Sequence, residues 1–243
     1  MSTAELAEVL TFGLLMVIFH GWEKVRPAHP VDRRRELLFD LVALVWLAAL
    51  VGIYRRVLRH TLVLFGAQPL FGHWPLALKL IIGFLAVDLC LYGIHRAMHR
   101  VGFLWPTHRF HHSVEQLWWL SGFRTSAVHG ALFALPQTLI PYGLVGVTPG
   151  EAAVAYSIAA FFQIWTHADI DPRLGLLEKV IVTPAYHRVH HSVDVRLQNC
   201  NLGMIVVFWD RLFGTYIDPR KVDVSGPLGL MPKEQGVRRW IGV

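Results

Sequence analysis

Five apolar runs, roughly residues 6–22, 37–54, 75–94, 127–147 and 151–168, restrict the fold of this chain more than any other feature. A helix needs about 20 mostly apolar residues to cross a bilayer, with a lower limit near 17. The first two runs sit near that limit and the third exceeds it comfortably. The last two are joined only by Thr148-Pro149-Gly150, which predicts a tight helical hairpin, and Pro136 and Pro141 predict kinks in the fourth run. Hydrophobic residues make up 54% of the chain and charged residues 16%, too apolar a balance for an ordinary soluble domain. The expected fold class is therefore all-α: a single integral membrane domain over 1–243, with about four to five membrane helices.

Glu5 and Glu8 precede the first run and no basic residue does. A cleaved signal peptide begins the opposite way, so 6–22 reads as a retained membrane helix. Lys24, Arg26, Arg33, Arg34 and Arg35 between the first two runs place that loop in the cytoplasm by the positive-inside rule. Alternate threading then brings the ends of the third and fifth runs back to the cytoplasmic face. Arg55, Arg56 and Arg59 conflict with this scheme: either the second run is re-entrant or its loop is an exception. The more polar stretches 95–126 and 169–243 form a cytoplasmic cap. The net charge of +6 bears on topology and anionic lipid; no aromatic-basic RNA motif or zinc-finger spacing supports nucleic-acid binding. Cys90 and Cys200 read as unpaired thiols.

The chemistry lies in the histidines. Of fourteen, nine fall into three clusters and one outlier: His95 and His99; His108, His111 and His112; His187, His190 and His191; and His167. Spacings of three and four put the members of each cluster on one helical face. Thr183-Pro184 supplies a cap and a first-turn proline for the last cluster. Asp88 and Tyr92 extend the His95 stripe down an apolar helix, where polar groups are costly unless they face a partner or a cavity. Asp88 is expected to accept the outer N–H of a ligand imidazole, with Asp169, Asp194 and Asp210 as further candidates; Asp88 and Asp210 are taken as the catalytic carboxylates. Gln163 lies one turn before His167 and reads as a satisfied hydrogen-bonder. His129 is an outer or channel residue. His20, His29, His60 and His73 read as ordinary lone histidines. Trp118 and Trp119 fit an aromatic belt at the membrane interface.

Nine imidazoles exceed what one ion uses, and imidazole serves Zn, Cu, Fe and Ni. Structural zinc usually takes Cys, and the clusters contain none. His-Glu-x-x-His of zinc proteases and Glu-x-x-His of carboxylate di-iron bundles are both missing. What remains is a histidine-rich site for two irons. A Lewis-acid lipid hydrolase or isomerase is the rival reading. A metal transporter fits less well, because the clusters gather at one face.

In order, the chain carries His-x-x-x-His, His-x-x-His-His and a second His-x-x-His-His. To these it adds His112-Ser113, Thr183-Pro184, Asn201-Leu202-Gly203 and the closing segment from Trp209 to Tyr216. In this it resembles the membrane fatty acid hydroxylase / sterol desaturase superfamily, with a core over 88–216 and a tail over 217–243. The resemblance implies a non-haem di-iron monooxygenase. His95, His99, His108, His111, His112, His167, His187, His190 and His191 would be its ligands and O2 its co-substrate. A lipid, fatty acyl or sterol, would be hydroxylated or desaturated. Lacking a dinucleotide-binding pattern, the chain is expected to take electrons from an external donor, a ferredoxin or a cytochrome b5-type protein with its reductase.

Overall fold

The computed structural model describes residues 2–34, 36–66 and 68–231. Arg35 and the tail beyond Met231 lie outside the described residues. Among those described there is no strand, only isolated bridges at Ile181–Val206 and Ser192–Leu228.

Each apolar run is a helix: α1 (Thr3–Val25), α2 (Leu37–Leu64), α3 (Leu76–Arg100), α5 (Ala127–Thr138, continuing as a π segment to Val145) and α6 (Pro149–His167). Short helices α4 (Trp105–His112), α7 (Pro184–His190), α8 (Val195–Gln198) and α9 (Phe208–Leu212) build the cap. α1, α2, α3 and the α5–π unit are long and apolar enough to cross a membrane. They expose many large apolar side chains, such as Leu10, Val17, Leu38 and Val45, which suits contact with lipid and not with water.

α2 runs ten residues beyond the apolar stretch without a break, so it is not re-entrant. Its extra turns carry Arg55 to the end opposite the cap, where it pairs with Glu8 of α1. The predicted kink is a change of helix type: Pro136 and Pro141 each remove a backbone donor, and the chain widens into π turns from Leu139 before Gly146 ends it with φ +73°.

The tight hairpin is not formed. α5 packs on α2 and α3, whereas α6 packs on α1. The space between α5 and α6 is part of a cavity described below. Thr148 and Glu151 form a capping box that starts α6 directly at Pro149.

The cap-side ends of α1 and α2 are tied to the cap by buried charge. Glu23 of α1 accepts the backbone N–H groups of Trp119 and Asp169 at 2.7 and 2.8 Å. Arg124 is ion-paired to Glu36 and to Asp40 of α2. Trp118 Nε1 donates to the other oxygen of Asp40 at 2.7 Å. Trp118 and Trp119 are therefore buried in the junction between bundle and cap and not in an interfacial belt. The carboxylates below them claim the Trp118 ring N–H and the Trp119 backbone N–H and draw both residues inward.

Candidate metal centre

Four stretches of sequence carry the imidazoles to one point. α3 delivers His95 and His99 one turn apart. α4, with Pro106 in its first turn, delivers His108, His111 and His112. α7 starts where the sequence signalled: Thr183 Oγ1 accepts from the Tyr186 N–H at 3.2 Å, and Pro184 occupies the first helical position. His167 closes α6.

All nine histidines fall into two groups whose ring nitrogens lie within 4.8 Å of one another: His95, His99, His108, His112 and His190, and beside it His111, His167, His187 and His191. In the second group the four Nε2 atoms form a ring with edges of 3.1–3.2 Å. In the first, His95 Nε2 lies 2.9 Å from His108 Nε2 and 3.1 Å from His190 Nε2.

Hydrogen bonds between imidazoles do not explain this packing. Four of the rings use Nδ1 as a donor to backbone carbonyls: His95 to Leu202 (2.8 Å), His111 to Arg124 (3.1 Å), His167 to Gln163 (2.9 Å) and His190 to Cys200 (3.0 Å). A neutral imidazole has one N–H, so where two of these rings meet, His95 with His190 and His111 with His167, lone pair faces lone pair. His99 Nε2, both nitrogens of His112, and Nδ1 of His187 and His191 are buried with no hydrogen-bond partner. Nitrogens bound about 2.0–2.1 Å from one ion stand roughly 3 Å apart. The residues therefore fit two metal ions, with the outward N–H groups fixing each tautomer.

Burial first, and the neighbouring imidazoles second, hold His108, His111, His112, His187, His190 and His191 well below the usual imidazole range. They are neutral at pH 7, the form that ligates. In the metal-free protein the folded state resists protonation that the unfolded chain accepts near pH 6.5. Stability is thus unaffected above that pH and falls as the pH drops below it. Metal-free protein is expected to melt at progressively lower temperature between pH 7 and 5.5; a flat melting profile would contradict neutral buried rings.

The aspartates do not act as expected. Asp88 accepts from the N–H groups of Ile205 (3.1 Å) and Val206 (3.3 Å) and from Trp209 Nε1 (2.9 Å), not from an imidazole. Asp210 accepts from the N–H groups of Leu202 (2.8 Å) and Gly203 (2.6 Å), from the Thr215 hydroxyl (2.6 Å) and from the Tyr186 hydroxyl. Tyr92 donates in turn to Thr215 at 2.8 Å. Both carboxylates hold the 201–210 segment, whose Leu202 carbonyl orients His95. Backbone N–H groups of a tight loop outcompete the rings, because the rings find carbonyls nearer. Asp169 is engaged by His29 at 2.9 Å, and Asp194 caps α8; neither reaches the cluster. His60 and His73 are exposed, and His20 lies against Trp119. His129 is buried with Nδ1 3.3 Å from His108 Nδ1. Gln163 donates to the Gly122 carbonyl and stands outside the converging nitrogens.

Gly122 carries no signal of its own in the sequence. A Cβ there would stand 2.6 Å from Cγ and Nδ1 of His167, closer than atoms pack. Gly122→Ala is expected to push His167 off its group and to lower bound metal by more than half in purified protein; unchanged metal content would show that the ring has room to move.

A mostly apolar cavity of about 430 Å³ reaches this centre. It runs between α2, α5 and α6, with His95, His108, His111, His167 and His187 at one end and Glu8, Arg55 and Tyr156 at the other. Its volume is within the range of small-molecule sites.

The profile of the family described as fatty acid hydroxylase matches residues 80–215. Ornithine lipid hydroxylase OlsE of Rhizobium tropici is 34% identical over 146 residues, covering 60% of this chain and 44% of that protein. The alkylglycerol monooxygenase of Danio rerio is 32% identical over 59% of this chain and 31% of its own length. Human lathosterol oxidase is 29% identical over 80% of this chain and 64% of its own length. The chain thus spans less than half the length of the first two. No solved structure matches it. With the match covering more than half of its residues and all nine converging histidines, the chain belongs to the fatty acid hydroxylase family.

Proposed function

We propose that the protein is a membrane-bound oxygenase that uses two iron ions and O2 to hydroxylate or desaturate an unactivated C–H bond of a lipid, with 88–216 as its catalytic core. One observation carries this reading: two groups of buried neutral imidazoles, lone pairs converging, at the end of an apolar cavity inside a membrane bundle. The relatives' names, which include lipid hydroxylases, monooxygenases and a sterol oxidase, support it.

His95, His99, His108, His112 and His190 would hold one iron, and His111, His167, His187 and His191 the other. Bound irons would supply activation of O2 with two electrons and two protons: hydroxylation would put one oxygen atom into the C–H bond and release one water, whereas desaturation would remove two substrate hydrogens and release two waters. The chain's own groups do the rest. Backbone carbonyls hold Nδ1–H outward and keep Nε2 unprotonated. Asp210 and Asp88 fix the loop behind His95. The cavity walls exclude water and admit an alkyl chain. Electrons come from a separate donor, a ferredoxin or cytochrome b5-type protein. We place the histidine end on the cytoplasmic side, on the strength of Lys24, Arg26, Arg33 and Arg34.

The deciding experiment uses iron-loaded protein, a reductant system and a lipid mixture under ¹⁸O2. A product carrying ¹⁸O, or an O2-dependent new double bond, is expected. Oxygen drawn from H2¹⁸O without O2 consumption would favour hydrolysis instead.

A further inference from the structure

The far end of the cavity carries an ion pair that the iron chemistry does not use. Arg55 Nη1 donates to Glu8 Oε2 at 2.9 Å, and the guanidinium lies 3.3 Å over the ring of Tyr156. Both charged side chains are about three-quarters buried even before any lipid surrounds them. Ionisable groups in membrane helices are costly and mark substrate paths when they face a cavity; these line one that ends on five histidines. Tyr156 precedes His167 by eleven residues of α6, so roughly 16 Å separates the two ends at 1.5 Å per residue. At roughly 1.2 Å per bond of extended chain, about a dozen carbons bridge that gap.

The pair's composition restricts the head group it accepts. Its net charge is zero, with the Arg55 charge already answered by Glu8 and covered on one face by Tyr156. A carboxylate head would meet Glu8 at close range and surrender its hydration for nothing. A hydroxyl both donates and accepts, and matches a site offering guanidinium N–H groups beside carboxylate lone pairs. We propose that Arg55 and Glu8 form the polar anchor of the substrate site and select lipids with an uncharged, hydroxyl-bearing head, the alkyl body running toward the histidines. This rests on the reading of the cavity as the substrate channel.

The test is equilibrium binding of tritiated hexadecan-1-ol to the detergent-purified full chain, with hexadecanoate and hexadecane as competitors. Wild-type protein is expected to prefer the alcohol over either competitor by at least about tenfold, the scale of one hydrogen bond to a charged group. Arg55→Met and Glu8→Gln should each lose that preference while binding hexadecane as before. Preference for hexadecanoate, or an alcohol affinity unchanged in both variants, overturns the anchor. Ala160→Trp, which fills the middle of the cavity, separates the two claims. If it abolishes alcohol binding while the Arg55 and Glu8 variants keep it, only the anchor falls. If it too binds normally, the channel falls with it. Should Arg55→Met fail to fold, the wild-type competition series alone still decides.

Discussion

His111→Ala and His190→Ala are expected to abolish O2-dependent lipid oxidation and to strip metal from the protein, without impairing membrane insertion. Each residue supplies an Nε2 to a different group: His111 lies 3.2 Å from the nitrogens of His167 and His191, and His190 lies 3.1 Å from that of His95. Loss of even an outer partner of a metal ligand typically costs 10–100-fold, so loss of a ligand should lower turnover more than about a hundredfold. The transmembrane helices contribute neither residue, since His111 sits on α4 and His190 on α7. Insertion, read by protease protection or membrane fractionation, should match wild type. Full activity in either variant would remove that residue from the centre.

Asp210→Ala is expected to be the most destabilising single change in the cap. The carboxylate is fully buried and accepts from two backbone N–H groups and two hydroxyls. Hydrogen bonds to charged groups contribute about 1.5–3 kcal/mol each, and the alanine leaves several buried donors unanswered at once. A loss of at least about 4 kcal/mol follows, or on the order of 10 °C in melting temperature for a chain of this size. The Leu202 carbonyl moves with its loop, so His95 loses its orienting acceptor and the five-histidine group should lose metal first. Asp210→Asn keeps one acceptor oxygen and should fall between. A wild-type melting curve for the alanine variant would show that the loop is held by other means.

The membrane helices were legible because lipid demands long apolar runs, and the histidine clusters because three- and four-residue spacing survives into any helix. The helix start at Pro184 was legible from its cap. Less visible was whatever depends on backbone groups. The carbonyls of Arg124, Gln163, Cys200 and Leu202 orient four rings, yet any residue type offers a carbonyl. The destinations of Asp88 and Asp210 followed from the same blindness: both carboxylates found backbone amides of the 202–206 segment, which any residue type offers. Trp118 and Trp119 looked interfacial by type, and only the buried Asp40 and Glu23 beneath them reveal their place. The parting of α5 from α6 follows from their different packing partners, α2 and α3 for one and α1 for the other, which no local pattern encodes.

The metal content of gently purified protein, measured by elemental mass spectrometry, tests the proposed two-iron centre most directly. About two irons per chain is the expected result, as purified or after anaerobic reconstitution with ferrous ion. Protein that binds no metal in either condition would contradict the centre and leave nine converging imidazoles facing one another without a reason.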